Sequence, residues 1–388
     1  MKKILCVTTV PDTLCAFVLP FAHHFRSLGW QVDAMAQGVS TNADCLQTFD
    51  RVWEIEWSRN PLQLQNLIVA PHQIRTVVEQ EGYDIVHVHT PVAAFVTRYA
   101  LNGLRQQGKV KLIYTAHGFH FYQGGKPLKN LVFLALEKLA GQWTDYLVVI
   151  NREDEKAVKQ HQIVADTQLC YMPGIGVDFD FYNRDTVTAE AAERVRQELG
   201  LTPANPLLVC AAEFIPRKRH SDILRAFARL DRPEVHLALA GDGRLMAQMQ
   251  QLANELGIEQ NVRFLGFRRD IPTLISISAA LILVSEQEGL PRCIMESFCL
   301  GVPVIGTKIR GTRDLLADRC GLLIDVGDIE ALTQAMAWIV DNPEAARIMG
   351  ERAKERVATY DLRHILKLYE SLYDRALGKS SYAVSASR

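Results

Sequence analysis

Two doubly wound, Rossmann-like α/β domains facing across a cleft are the architecture that this sequence predicts, and three observations carry the prediction. Short apolar runs alternate with amphipathic stretches along the 388 residues, the signature of parallel strands joined by crossover helices. The alternation occurs twice. Between the two series, YMPGIGVDFDFYN at residues 171–183 is punctuated by proline and glycine as a linker would be. The length suits two ordinary domains, each with its own core. The boundaries are residues 1–175 for a first domain, 176–377 for a second whose last helix can pack back on the first, and 378–388 for a mobile tail of small polar residues.

The first series of strands reads KILCVTTV, QVDAMAQ, DIVHVHT, VKLIYTAH and DYLVVIN. The second reads PLLVCAAE, VHLALAGD, VRFLGF, AALILVS, PVIGT and GLLID. The opening MKKILCVTTVPD imitates a secretion signal, but Pro11 and Asp12 interrupt its apolar run and no small-residue cleavage site follows, so a first strand is the better reading. IPTLISISAALILV, from Ile271 to Val284, is the longest charge-free apolar run and is too short to cross a bilayer. The expected location is therefore cytoplasmic, with any membrane association peripheral. A formal net charge of -1 excludes a bulk electrostatic field for nucleic acid. Eight cysteines are scattered without a CxxC pair, which points to reduced thiols.

In open α/β sheets ligands bind beyond the carboxyl ends of the strands, so the stretches there are the candidates. EGLPRCIMESFCLGVPVIGT, residues 288–307, holds two glutamates eight positions apart. Pro291 suits the first helical position, and Gly301 with Pro303 ends the segment, which predicts a helix from about Pro291 to Leu300. Glu288 then precedes the helix and Glu296 lies in its second turn, leaning back toward the start. Both carboxylates border one small volume beside a helix start that favours an anion. A ligand both anionic and rich in hydroxyls fits, as a nucleotide sugar does. The stretch alone also fits a solvated loop residue and a helix-surface charge.

AEFIPRKRHSDIL offers Arg217, Lys218 and Arg219 at another strand end, cations suited to a diphosphate or simply to a solvated loop. Gly241 and Asp242 in AGDGRL form a tight turn where backbone can approach a ligand. Arg268 and Arg269 follow a third strand as neighbours for base or phosphate. In the first half, YTAHGFHFYQGG puts His117 at a strand end, where it can bond a sugar hydroxyl, stabilise charge or be structural. His87 and His89 alternate on one strand face and invite a metal, but no third ligand has recognisable spacing. Asp178 and Asp180 form a DxD in the linker, outside the expected cleft core.

Together these residues resemble the retaining glycosyltransferases of sequence family four, which have the GT-B fold. The resemblance runs from the first strand to GLLIDVGD, and its most specific element is the E-x7-E spacing of Glu288 and Glu296. HTPVAAFVTR, YTAHGFHFYQGG, PGIGVD and SEQEGLP are similar to a bacterial branch that builds exopolysaccharide and capsule repeat units on lipid carriers. The resemblance implies that Glu296 holds ribose hydroxyls, that Glu288, Gly289 and Leu290 face the donor sugar and distal phosphate beside Pro291, and that Lys218, aided by Arg217 or Arg219, neutralises the leaving diphosphate. It places His117 over the donor sugar. It implies a UDP-sugar donor as substrate, a lipid-linked saccharide acceptor, no cofactor, no catalytic metal and no nucleic-acid partner. Two departures stand out: the first loop reads VPDTLCAFVLP without the usual glycine pair, and Glu213 stands where many members have arginine.

GKPLKNLVFLALEKLAGQW, from Gly125, predicts a helix beginning at Pro127 that is apolar on most faces, with Lys126 and Lys129 near its start. Such a segment suits a cytoplasmic membrane surface or a domain core. Two rival activities fit the same residues: a sugar-nucleotide epimerase or hydrolase, and a non-catalytic sugar-nucleotide-binding partner of an assembly complex.

Overall fold

Valine, isoleucine and leucine dominate the apolar runs, and every one of those runs forms a parallel strand. In the computed structural model, which describes residues 1–57, 63 and 65–379, the chain divides into two units: Met1–Ile175 with the chain from Arg363 onward, and Gly176–Leu362. Residues 380–388 of the expected tail lie outside the described residues. The first sheet contains β1 (Lys3–Val7), β2 (Gln31–Ala36), β3 (Val52–Glu54), β4 (Ile85–Val88), β5 (Lys111–Ala116), β6 (Tyr146–Val149) and β7 (Leu169–Tyr171) in the order β3-β2-β1-β4-β5-β6-β7. The second contains β8 (Leu207–Ala211), β9 (His236–Ala240), β10 (Val262–Gly266), β11 (Ala280–Leu283), β12 (Val304–Thr307) and β13 (Gly321–Ile324) in the order β10-β9-β8-β11-β12-β13.

Each order runs outward in two directions from a reversal point, between β1 and β4 in one sheet and between β8 and β11 in the other. A crevice opens at such a point because the connections leave on opposite faces. The strands flanking it are covered on both sides, which is why β4 and β11 are buried throughout and, His87 apart, apolar. β3 and β7 are absent from the sequence reading. They are three-residue edge strands, half-exposed, too short for any periodicity to show. The run Ile271–Val284 resolves into a short helix, Ile271–Ser276, and β11.

Helix starts follow local side-chain chemistry. Asn151, Thr188 and Asp328 each accept a hydrogen bond from the backbone N–H three residues on, at 2.8, 3.1 and 2.9 Å. The last helix, Leu362–Ala376, is counted with the first unit from Arg363 on, a different partition from the 176–377 boundary. Its Ile365, Tyr369, Leu372 and Tyr373 share a core with Ile4, Cys6 and Ile85 of the first sheet and with Phe25 of the helix Leu19–Ser27.

The helix Pro127–Gly141 is not a core helix. It buries only Glu137, Ala140 and Gly141, and half-buries Asn130, Phe133, Leu134 and Leu136, while Leu128 is 75% exposed and Leu131 63%. Glu137 meets the fully buried Arg98 of the helix Pro91–Gln106 at 3.0 Å. Arg98 also donates to Thr144 Oγ1 at 3.2 Å and lies over the Tyr114 ring at 4.3 Å. Removing one partner strands a buried charge. Arg98→Met should cost about 3 to 5 kcal/mol in chemical denaturation, and adding Glu137→Leu should restore most of it; equal losses in the single and double variants would contradict this.

Candidate active site

Because β8 and β11 are paired, with Ala280 opposite Leu208 and Leu281 opposite Val209, the loops that leave their carboxyl ends meet. From β8 the chain passes through a 3-10 turn at Pro216–Lys218 and then Arg219, whose φ of 52° is left-handed, into the helix His220–Leu230. From β11 it runs to Glu288 and the helix Arg292–Cys299. The two loops lock together through the Glu286 N–H, which donates to the Arg217 carbonyl at 2.8 Å.

Lys218 Nζ consequently lies 2.5 Å from Glu288 Oε1, with Arg217 Nη1 3.9 Å from Glu288 Oε2. The Lys218 side chain is 13% exposed and that of Glu288 9%, so the pair is shielded from bulk water. The buried Arg310 donates to the Glu288 carbonyl at 3.0 Å and holds the loop from behind. Arg219 is engaged by two carboxylates. It pairs with Asp222 at 2.6 Å and with Glu286 at 2.5 Å, and the bond to Asp222 raises its pKa above the ordinary arginine value. These pairs brace the two loops.

Pro291 sits one position earlier than predicted, at the cap of the helix (φ -72°, ψ 118°), and Arg292 is the first helical residue. Glu296 is still one turn in and buried, and it accepts from Arg292 Nε at 3.1 Å. Its other partner is the Tyr182 hydroxyl, whose pKa is raised by burial first and by the Glu296 charge second. The Gly289–Leu290 backbone packs against Gly311, where a Cβ would come within 2.1 Å of the Gly289 carbonyl oxygen. Gly311 has a φ of 73°, so glycine meets both demands.

Gly241 makes its close approach to protein: a Cβ there would meet the Ala212 carbonyl at 2.2 Å. The Asp242 carbonyl accepts from the Phe214 N–H at 2.8 Å, zipping the loop after β9 to the loop after β8. Arg268 is held by two carboxylates, Asp270 at 2.6 Å and Glu198 at 3.1 Å through Nη2. Asp178 of the DxD accepts from the Asp180 and Phe181 N–H groups at 2.9 and 3.1 Å, the geometry of a turn.

In the first unit, Thr90 Oγ1 accepts from the Thr9 N–H at 2.8 Å, closing the reversal point between β1 and β4. His117, just past β5, stacks on Phe17 with ring centroids 4.8 Å apart, and its Nε2 lies 3.2 Å from His89 Nδ1. His87 bonds Tyr373 at 2.6 Å and Thr115 at 2.8 Å. Burial lowers the His87 pKa to about 3 and that of His117 to about 4, and drives His89 well below its ordinary value. All three rings are neutral at pH 7.

The second unit therefore presents an ammonium, a guanidinium and a helix start beside two oriented carboxylates. Cations attract a diphosphate, and carboxylates accept from hydroxyls. Tyr182 and Arg310 escaped the sequence reading. The first lies in a stretch read as linker punctuation, and nothing in the spacing of the second marks it.

Two doubly wound units with such a cluster at the second reversal point define a class, the GT-B proteins. Family models bear on the chain directly: "Glycosyltransferase Family 4" matches residues 16–178 and "Glycosyl transferases group 1" matches residues 191–356. EpsD of Bacillus subtilis (strain 168), a protein named as a glycosyltransferase, is 34% identical over 91% of both chains. The Escherichia coli UDP-Gal:alpha-D-GlcNAc-diphosphoundecaprenol alpha-1,3-galactosyltransferase is 25% identical over 72% of both. Anabaena Alr3699/HepE, solved in complex with UDP and glucose, superposes with a TM-score of 0.80 at 20% identity, covering 97% of this chain and all of that one. The chain belongs to the family-four glycosyltransferases and has their GT-B fold.

The buried histidines give a pH dependence. The unfolded chain takes up protons near pH 6.5, whereas native His87, His117 and His220 accept them only near pH 3 to 4. Below pH 6.5 the unfolded state thus binds more protons, and stability falls as pH falls. The expected slope approaches about 1.4 kcal/mol per pH unit for each histidine. Denaturant titrations between about pH 7 and pH 5 should show the decline; a flat profile would contradict the buried neutral rings.

Proposed function

We propose that this glycosyltransferase moves a hexose or N-acetylhexosamine from a UDP-sugar, with retention of configuration, to a polyprenyl-diphosphate-linked saccharide in exopolysaccharide or capsule synthesis, without a metal or other cofactor. The observation that carries the reading is the Lys218–Glu288 pair at 2.5 Å beside the start of the helix Arg292–Cys299. The names of two relatives support the substrates: one acts on UDP-Gal and a diphosphoundecaprenol-linked sugar, and HepE has been solved with UDP-glucose.

In this mechanism the acceptor hydroxyl attacks on the face from which UDP departs, and the departing phosphate oxygen accepts its proton. The sugar becomes oxocarbenium-like while negative charge grows on the diphosphate. Lys218 and Arg217 meet that charge, and Glu288 keeps the ammonium in place before it develops. Glu296, oriented by Arg292 and Tyr182, accepts from the ribose hydroxyls. His117 contributes from the first unit as a neutral hydrogen-bonding group.

A peripheral membrane role has its own observation. The helix Pro127–Gly141 turns a glutamate inward and leaves Leu128, Leu131, Val132 and Leu139 exposed, with Lys126, Lys129 and Lys138 among them. That reverses the usual polarity of a surface helix and suits an anionic lipid surface. None of the described helices is long and apolar enough to cross a membrane.

The deciding assay adds radiolabelled UDP-sugars in turn to purified protein with polyprenyl-diphosphate-sugar acceptors and EDTA, then counts label in the organic phase. Label in the lipid from one donor is expected. Donor consumed without lipid label would favour a hydrolase or epimerase. Lys218→Ala should lower kcat by about 100-fold or more, the scale of losing one preorganised charge-stabilising group, and near-normal turnover would sink its role. Flotation with anionic vesicles should recruit the wild-type chain but not Leu131→Asp with Val132→Asp; wild-type protein left behind would reject the membrane reading.

A further inference from the structure

The histidines on β4 have no part in the mechanism above, yet one of them touches His117. His87 has both ring nitrogens occupied, by Tyr373 and Thr115, and stacks at 4.1 Å on the His89 ring. His89 is buried, and its two nitrogens differ: Nδ1 lies 3.2 Å from His117 Nε2, while Nε2 is buried without a partner. The cavity alongside has room for about one water (about 10 Å³) and is lined chiefly by side chains such as Phe17, Val18, Phe21, Ala22 and Ile175. A water needs two to four polar partners, and the polar rings that share the lining with His89 are already bonded, His87 to Tyr373 and Thr115, Tyr369 to Thr115, and His117 Nε2 to His89.

Both rings being neutral, each holds one proton, and the His89–His117 bond needs a proton on one side only. If His117 Nε2–H donated, the His89 proton would have to sit on its own Nε2, a buried N–H with no acceptor. If His89 Nδ1–H donates, His89 Nε2 carries only a lone pair. Orphaned buried N–H groups are rarer than under-used acceptors, so the second arrangement is favoured. We propose that His89 is a positioning residue that fixes the tautomer of His117: its Nδ1–H donates to His117 Nε2 and leaves the one ring proton of His117 on Nδ1.

The consequence is chemical. His117 then serves as a hydrogen-bond donor through Nδ1, and its basic nitrogen is occupied by His89. It can bind a sugar oxygen but cannot remove the acceptor proton, which leaves that proton to the departing phosphate. Stacking by Phe17 at an interplanar angle of 19° holds the ring in the orientation the bond requires. The use of His117 in transfer rests on the function proposed above, whereas its tautomer does not.

The experiment is long-range 1H–15N correlation NMR of the full chain labelled with 15N-histidine near neutral pH, assigned with His117→Phe and His89→Leu. The expected result is an Nδ1–H tautomer for His117 in the wild type that shifts toward Nε2–H in His89→Leu. His89→Asn, whose carboxamide nitrogen can donate from near the Nδ1 position, should restore Nδ1–H. An Nε2–H tautomer in the wild type overturns the proposal, and so does an Nδ1–H tautomer that persists in His89→Leu. In the transfer assay His89→Leu should lower kcat at least about tenfold with the donor KM unchanged, and His89→Asn should recover most of the rate. With transferase activity established, an unaltered kcat in His89→Leu overturns the positioning role of His89 in transfer. The NMR readout needs no turnover, so failure of the tautomer and failure of the transferase reading are told apart.

Discussion

Strand β8 pairs with β11, not with β9 alone, and that single parallel contact brings together two loops whose key residues lie 70 positions apart. Without it Lys218 and Glu288 would be two charged residues on separate turns. With it, each neutralises the other in a shielded place where neither could stay charged alone at low cost. The neighbouring contacts serve the same junction: Arg219 clamps Glu286 to Asp222, Arg310 holds the Glu288 carbonyl, and Gly311 makes room for Gly289. The site is the meeting of two loops, and the sheet decides that they meet.

The first unit solves a different physical problem at its own reversal point. Its polar groups there are neutral, held in a dry setting by stacking and by hydrogen bonds among imidazoles, hydroxyls and the returning helix. At the reversal point of the second unit the polar groups are charged instead. The contrast fits a reaction in which one partner is strongly anionic and the other is recognised through hydroxyl groups.

The helix Pro127–Gly141 shows how a buried ion pair permits an exposed apolar face. An ordinary surface helix is anchored by a full apolar stripe; this one is anchored by Glu137 on Arg98, together with Ala140, Gly141 and the half-buried Asn130, Phe133, Leu134 and Leu136. Leucines released from anchoring can face outward. Exposed apolar stripes flanked by lysines are costly in water and useful at a lipid surface.

Much of the architecture was legible because parallel strands covered on both faces are largely apolar, so eleven strands announced themselves in the order in which they occur. Two edge strands did not, since half-exposed three-residue segments carry no period. The helix around Glu296 was legible from Pro291 and Gly301, to within one residue at its start. Which cations stand ready and which are already paired was not: Arg217, Lys218 and Arg219 are adjacent and alike in sequence, and only the folded loops give the second to Glu288 and the third to Asp222 and Glu286. The same holds for His89 and His117, whose contact spans 28 positions. By itself the sequence determined periodicity, punctuation and residue chemistry, which are local; tertiary structure alone decided the pairings, because charge and hydrogen-bond partners are chosen by distance in space.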